Sequence, residues 1–236
     1  MSTLHTPPTP WLESAYRFYG GGRDAVVSVS RSNSRAWNLP GIEIDVIHNG
    51  VDLRRWAFSP EPPRGAPLVW FGRLVPEKAP HLAIDAALLR DEHITIIGPA
   101  HDAAYFDREL RHRFKNRRVD WVGPVNHDEL TRLVGRSAVT LCTPAWDEPF
   151  GLVVIESLAC GTPVAALDRG AMRELLDDTT GAIADRNDAE GLARAIEIAR
   201  RKHRQDCRRA VVNRFTLEAM LDGYESAMLQ LAGSTR

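Results

Sequence analysis

From Leu68 onward the chain alternates short apolar runs with longer stretches of helical spacing. Leu68-Val69-Trp70-Phe71, Ile94-Thr95-Ile96-Ile97, Val119 to Val122, Ala138 to Cys142, Pro163 to Leu167 and Gly181 to Ala184 each read as a buried strand bounded by Gly, Pro or polar residues. Helices are predicted between them over 80–90, 103–114, 126–134 and 172–176, with Asn126 and Glu129 placed as a capping box and a further apolar helix opened by Pro149-Phe150-Gly151. Six strands separated by helices predict an α/β fold: a Rossmann-like parallel sheet with helices on both faces and ligands beyond the C-terminal ends of the strands.

The flanks lack this rhythm. Residues 1–60 read as a Pro-rich entry, an aromatic helix from Trp11 to Tyr19, a Gly20-Gly21-Gly22 break, a strand from Asp24 to Ser30, a polar helix start at Ser32, a strand from Ile44 to Ile47 and a turn at Asn49-Gly50. That is less than a domain. Residues 188–232 read as helices only, with Asp188 and Thr216 as caps and Leu217, Met220, Leu221, Tyr224, Met228 and Leu229 as an apolar stripe. The expected division is 1–60, 61–215 and 216–236.

Composition narrows the class. With 236 residues, 44% hydrophobic, the chain can bury one substantial core. Thirty basic residues against 31 acidic ones give a net charge of −1, which argues against a nucleic-acid binder. Cys142, Cys160 and Cys207 form no C-x-x-C pair and are expected as buried, reduced thiols. The N-terminus carries no apolar core of signal-peptide length and no run approaches 18 apolar residues, so the expectation is a cytoplasmic protein. Two basic runs, Arg108 to Arg118 and Arg200 to Arg209, are expected as solvated faces, with peripheral contact to the inner membrane face as the alternative.

Chemistry concentrates between Pro144 and Val164, where a loop leads into a helix that Gly161 and Pro163 end. The unpaired N–H groups at a helix start suit an anion, and Glu148 and Glu156 bracket this one. Upstream, Gly72-Arg73 directly follows a strand and Lys78 lies five residues later, so two cations can converge on one anion; a surface salt bridge with Glu77 is the plainer alternative.

The stretch E-P-F-G-L-V-V-I-E is similar to the E-x7-E motif of retaining glycosyltransferases of family 4. A-C-G-T-P-V-A after it and G-R-L-V-P-E-K before it resemble that family's A-x-G-x-P-V-V and diphosphate-binding G-R-x-x-x-x-K words, and Val122-Gly123-Pro124-Val125 resembles its F-x-G-x-V. The strand from Asp24 and the Val46 to Asp52 linker also match, with His48 where the family has Pro. The resemblance covers about residues 5–185 and implies the donor-binding C-terminal half of a two-domain GT-B fold, with a remnant of the acceptor-side domain before it and a last helix that packs back on the N-terminal side.

By that resemblance Arg73 and Lys78 hold the diphosphate of a UDP- or GDP-linked sugar and Glu148 stands against the transferred sugar. Glu156 then accepts from the ribose, and Gly72, Phe150, Gly151, Leu152, Val153 and Val125 approach the donor through their backbones. His5 resembles the histidine of an H-T-P word on the acceptor side; a structural or frayed terminus is the other reading. No D-x-D, H-x-H or H-E-x-x-H occurs, so no metal or other cofactor is expected, and no G-x-G-x-x-G or P-loop is present.

The implied function is metal-independent sugar transfer, of the hexosyltransferase type, from a nucleotide diphosphate to an unknown glycan, lipid-linked or small-molecule acceptor with retention. The missing acceptor half keeps a second reading open: a non-catalytic nucleotide-sugar module, or a subunit that needs a separate N-terminal-type domain or a second copy. A glycoside hydrolase using Glu148 and Glu156 conflicts with a carboxylate at a helix start facing phosphate.

Overall fold

The computed structural model describes residues 1–19 and 25–233, so the Gly20-Gly21-Gly22 break and Asp24 lie outside the described residues. Strands β1 (Ser2–Leu4), β2 (Val26–Ser28) and β3 (Ile44–Val46) form a small parallel sheet in that order, joined by α1 (Pro10–Tyr19) and α2 (Arg31–Ala36). Strand β1 was not expected; three residues are too few to show an alternating pattern.

The larger sheet contains β4 (Leu68–Phe71), β5 (Ile94–Ile97), β6 (Val119–Gly123), β7 (Val139–Cys142), β8 (Val164–Ala166) and β9 (Gly181–Ile183). All pairs are parallel and the order is β6-β5-β4-β7-β8-β9. The chain winds outward from β4 in one direction and from β7 in the other, so a crevice opens between their C-terminal ends, the usual ligand position in such sheets. Strands β4, β7 and β8 are buried throughout, which explains why they read as unbroken apolar runs.

Helices cover both faces. One face packs α3 (Pro80–Leu89) and α8 (Ala189–Ala199) around Leu68, Ile84, Ile96, Leu141 and Ile196. The other packs α5 (His127–Gly135), α6 (Leu152–Ala159), α7 (Met172–Leu175) and α9 (Arg204–Arg214) around Val69, Val134, Ile155, Leu158, Leu175 and Val211. Asn126 caps α5 by accepting from Glu129 N at 2.9 Å, but the Glu129 carboxylate turns to Arg132 instead of completing the box. Asp188 caps α8 and Thr216 caps the last helix, as expected.

Three expectations are corrected. The helix expected over 103–114 is a short α4 (Ala103–Tyr105) followed by a π-helical turn (Phe106–Leu110) and a 3-10 turn (Arg113–Lys115). The wider turn buries Leu110 while Tyr105 Oη lies 2.7 Å from His81 Nδ1 and Arg113 reaches Asp85 at 2.7 Å. Second, the stripe on α10 (Leu217–Gly233) does not become a core face: Leu221, Met228 and Leu229 stay exposed, and only Ala227 of this helix is buried. The helix meets the segment after β3, where Leu217 N donates to Val51 O at 3.0 Å and Met220 Sδ accepts from Gly50 N at 3.3 Å.

Third, Arg204 and Arg208 leave the solvated faces expected of the basic runs, whereas most of the other members are exposed as expected and several pair there with carboxylates. Arg111, Arg113 and Arg118 pair with Asp107, Asp85 and Asp91, and Arg201 and Arg209 with Glu197 and Asp206. Arg204 is buried and donates to Gly161 O at 3.0 Å, Gly135 O at 2.9 Å and the Thr162 hydroxyl. Arg208 donates to Ala159 O at 2.6 Å, Trp56 O at 2.7 Å and Leu53 O at 3.2 Å. Each places a cation at carbonyls that end a helix, where the dipole favours it. The three cysteines are buried, and burial pushes each thiol up to about 12.

The two sheets are tied by one carboxylate. Glu174 of α7 accepts from Arg31 N and Ser32 N at the start of α2, and its Oε1 lies 2.6 Å from His48 Nε2. Burial alone would raise its pKa, but these partners hold it below the ordinary value. Ser30 adds a bond from its hydroxyl to Pro149 O at 2.5 Å.

Candidate functional site

The loops after β4 and β7 are laced across the crevice. Thr143 Oγ1 donates to Lys78 O at 2.8 Å and accepts from Trp70 Nε1 at 3.0 Å, while Ala145 N donates to Glu77 O at 2.9 Å. Gly72 leaves β4 with φ 150°, and a Cβ at Gly98, the first residue after β5, would collide with Gly72 O. Gly98 needs glycine for that close approach, and Gly72 for its positive φ.

These loops frame a recess lined by Gly72, Lys78, Cys142, Thr143, Glu148 and Val153. It holds about 40 Å³, room for one group and far less than a whole nucleotide sugar needs. Lys78 and Glu148 form an ion pair over it, with side chains 29% and 11% exposed. Trp146 Nε1 donates to the same Glu148 oxygen at 3.1 Å, and Lys78 Nζ lies 5.8 Å from the centre of the Trp146 ring. Arg73 is more exposed and lies 3.7 Å from Glu77, so the plain surface pair is also present.

The backbone of Glu148 is fixed from behind. Ala171 N donates to Glu148 O at 2.9 Å, and a side chain at Gly170 would collide with that carbonyl. Gly151 stands at the N-cap of α6 with φ 99°, where a Cβ would meet Met172 Cε at 2.6 Å. No side chain caps α6, and of its first N–H groups Val154 N donates to Gly151 O at 2.9 Å. In the core, Thr140 Oγ1 of β7 lies 2.6 Å from Ser157 Oγ of α6, a polar pin between strand and helix.

Leu152, Val153 and Glu156 share the face of α6 turned away from the core, and Val153 lines the recess. Glu156 has little open surface, and burial pushes its carboxyl up to about 7. Phe150 is buried, with its ring 6.2 Å from that of Phe215. Val125 follows β6 and packs on the core beside α5.

The structure therefore gathers Gly72, Lys78, Glu148 and Val153 at one recess, with Arg73, Gly151, Leu152 and Glu156 around it. His5 is exposed just beyond β1, and no hydrogen bond ties it to these residues. Trp146, Thr143 and Gly170 escaped the sequence reading; Trp146 lies within the segment singled out, two positions before Glu148, but nothing in its type marks it as a donor to that carboxylate. Among the described residues no three His, Cys, Asp or Glu gather as a metal ion needs, and no helix is long and apolar enough to cross a membrane.

Comparison with known proteins places this geometry. Residues 57–213 match the family model described as glycosyl transferases group 1. A glycogen synthase of Mycobacterium tuberculosis is 37% identical over 187 residues, covering 73% of this chain and 44% of that protein. A D-inositol 3-phosphate glycosyltransferase of Mycobacterium sp. is 33% identical, covering 74% and 43%. The chain thus spans less than half the length of these curated relatives. Among solved structures, Anabaena Alr3699/HepE in complex with UDP and glucose superposes with TM-score 0.82 at 20% identity, over 97% of this chain and 71% of that one. Sucrose-phosphate synthase from Thermosynechococcus elongatus gives 0.84 at 22%, over 98% and 67%. The parallel sheet with helices on both faces is shared with these structures, and by its sequence the chain belongs to the group 1 glycosyl transferases.

Proposed function

We propose that this chain is the donor-binding part of a retaining glycosyltransferase of family 4, which moves a hexosyl group from a nucleotide diphosphate to an acceptor hydroxyl without a metal. The observation that carries this reading is the Lys78 and Glu148 pair over the recess, beside the uncapped start of α6. UDP is the first nucleotide to try, because the Anabaena protein is solved with UDP-glucose.

In this reading the diphosphate takes Lys78 and Arg73 together with the N–H groups of Gly151, Leu152 and Val153. Binding draws Lys78 from Glu148. As the bond from the anomeric carbon to the diphosphate oxygen breaks, negative charge grows on the leaving oxygen, where a fixed cation stabilises it most. Glu148, held by Trp146, then faces the sugar and steadies the positive charge developing on it. Glu156 accepts from the ribose hydroxyls. Two cations and a helix start supply the charge that a metal ion supplies elsewhere.

Calorimetric titration with UDP and GDP is the direct test. Saturable binding to one of them, weakened by Lys78→Ala, is expected; folded protein that binds neither would end this reading.

A further inference from the structure

A second cavity, of about 580 Å³, lies between the connecting segment 54–59 and α5. Residues 127, 128, 131, 132, 135 and 136 form its helical wall, one face at helical spacing. Gly135 keeps it open toward Ser59, whose Cβ would stand 3.3 Å from an added side chain.

Four arginines line this groove, Arg54 and Arg55 from the segment and Arg132 and Arg136 from the helix. Arg54 is matched by Asp52 at 2.9 Å and Arg132 by Glu129 at 2.6 Å. The guanidinium groups of Arg55 and Arg136 have no ion pair or hydrogen bond among the described residues, and they stand on opposite walls. Among the described residues, Asp128 is the one carboxylate that lines the groove. His127 is held by its neighbours, with its ring 4.7 Å from that of Trp56 and Nδ1 3.4 Å from Thr131 Oγ1.

Arg55 feels Asp52 only at longer range and Arg136 faces it across the groove, both exposed, so one anion can bridge the two guanidinium groups. Guanidinium forks suit tetrahedral oxyanions, and the volume is that of a small-molecule site. We propose that this groove binds a small phosphate-bearing anion, a sugar phosphate or a pyrophosphate-like group, between Arg55 and Arg136. The site is separate from the recess at Lys78 and does not depend on the reading given to it.

The test is an NMR titration of the full chain with inorganic pyrophosphate, with sodium chloride at equal ionic strength as the control. Shifts are expected at backbone amides of 54–59 and 127–136, with affinity about tenfold lower in Arg55→Gln/Arg136→Gln and higher in Asp128→Asn. Shifts confined to 72–78 and 148–156, equal shifts with chloride, or unchanged affinity in the double variant would overturn the proposal. Because each site is read at its own amides, failure of one is distinguishable from failure of the other.

Discussion

Lys78 and Glu148, separated by 70 positions in the chain, close an ion pair over the recess between β4 and β7. On the proposed donor placement, the pair sets donor and carboxylate in competition for one ammonium group. Glu148→Gln removes the competitor, so UDP affinity should hold or rise while sugar transfer falls by about 100-fold or more. Lys78→Ala should lower both. Calorimetry with UDP beside a donor-consumption assay separates the two; a parallel loss of affinity in Glu148→Gln would show that the pair does not compete with the donor.

Trp146 supplies the second bond to the Glu148 carboxylate. Trp146→Phe keeps an aromatic ring but removes the N–H together with part of the indole. A hydrogen bond to a charged group contributes about 1.5 to 3 kcal/mol, so kcat should drop roughly tenfold or more while KM for the donor and the melting temperature change little. An equal fall in thermal stability would assign the residue to packing instead.

Arg204 satisfies the ends of α5 and α6 from within the core. Arg204→Met leaves several buried carbonyls without a donor and should cost about 3 kcal/mol in urea unfolding. Lysine, with a point charge in place of a planar fork, should recover less than half of that.

Glu156 makes stability depend on pH. Its carboxyl is pushed up to about 7 from an ordinary 4.5, so between those values the folded chain holds a proton that the unfolded chain has released. Stability from this group is full below about 4.5 and declines as pH rises toward 7. Glu156→Gln should flatten that part of the profile in denaturant titrations at a series of pH values; an unchanged slope would contradict the burial of this group.

Much of the frame was legible because buried parallel strands leave a plain trace. Leu68 to Phe71 and Ile94 to Ile97 were bounded to the residue, since both are fully apolar or nearly so and end at glycine. The loops and the uncapped helix start followed from Gly and Pro positions. Illegible were features whose partners come from distant segments. Arg204 and Arg208 looked like solvated charges because backbone carbonyls, their acceptors, have no letter in a sequence. The π-helical turn at Phe106–Leu110 is flanked by Tyr105 and Arg113, whose partners His81 and Asp85 belong to another helix. The stripe on α10 shows that helical spacing reports a capacity to bury a face, not the presence of a cover.

Arg208 gives α6 a mechanical property. The helix has eight residues and is about 12 Å long. It starts at the recess and ends at Ala159, whose carbonyl shares one guanidinium with Leu53 and Trp56 of the connecting segment. The helix that begins at the recess is thus tethered at its far end, where one guanidinium ties its last carbonyl to the strap that joins the two sheets.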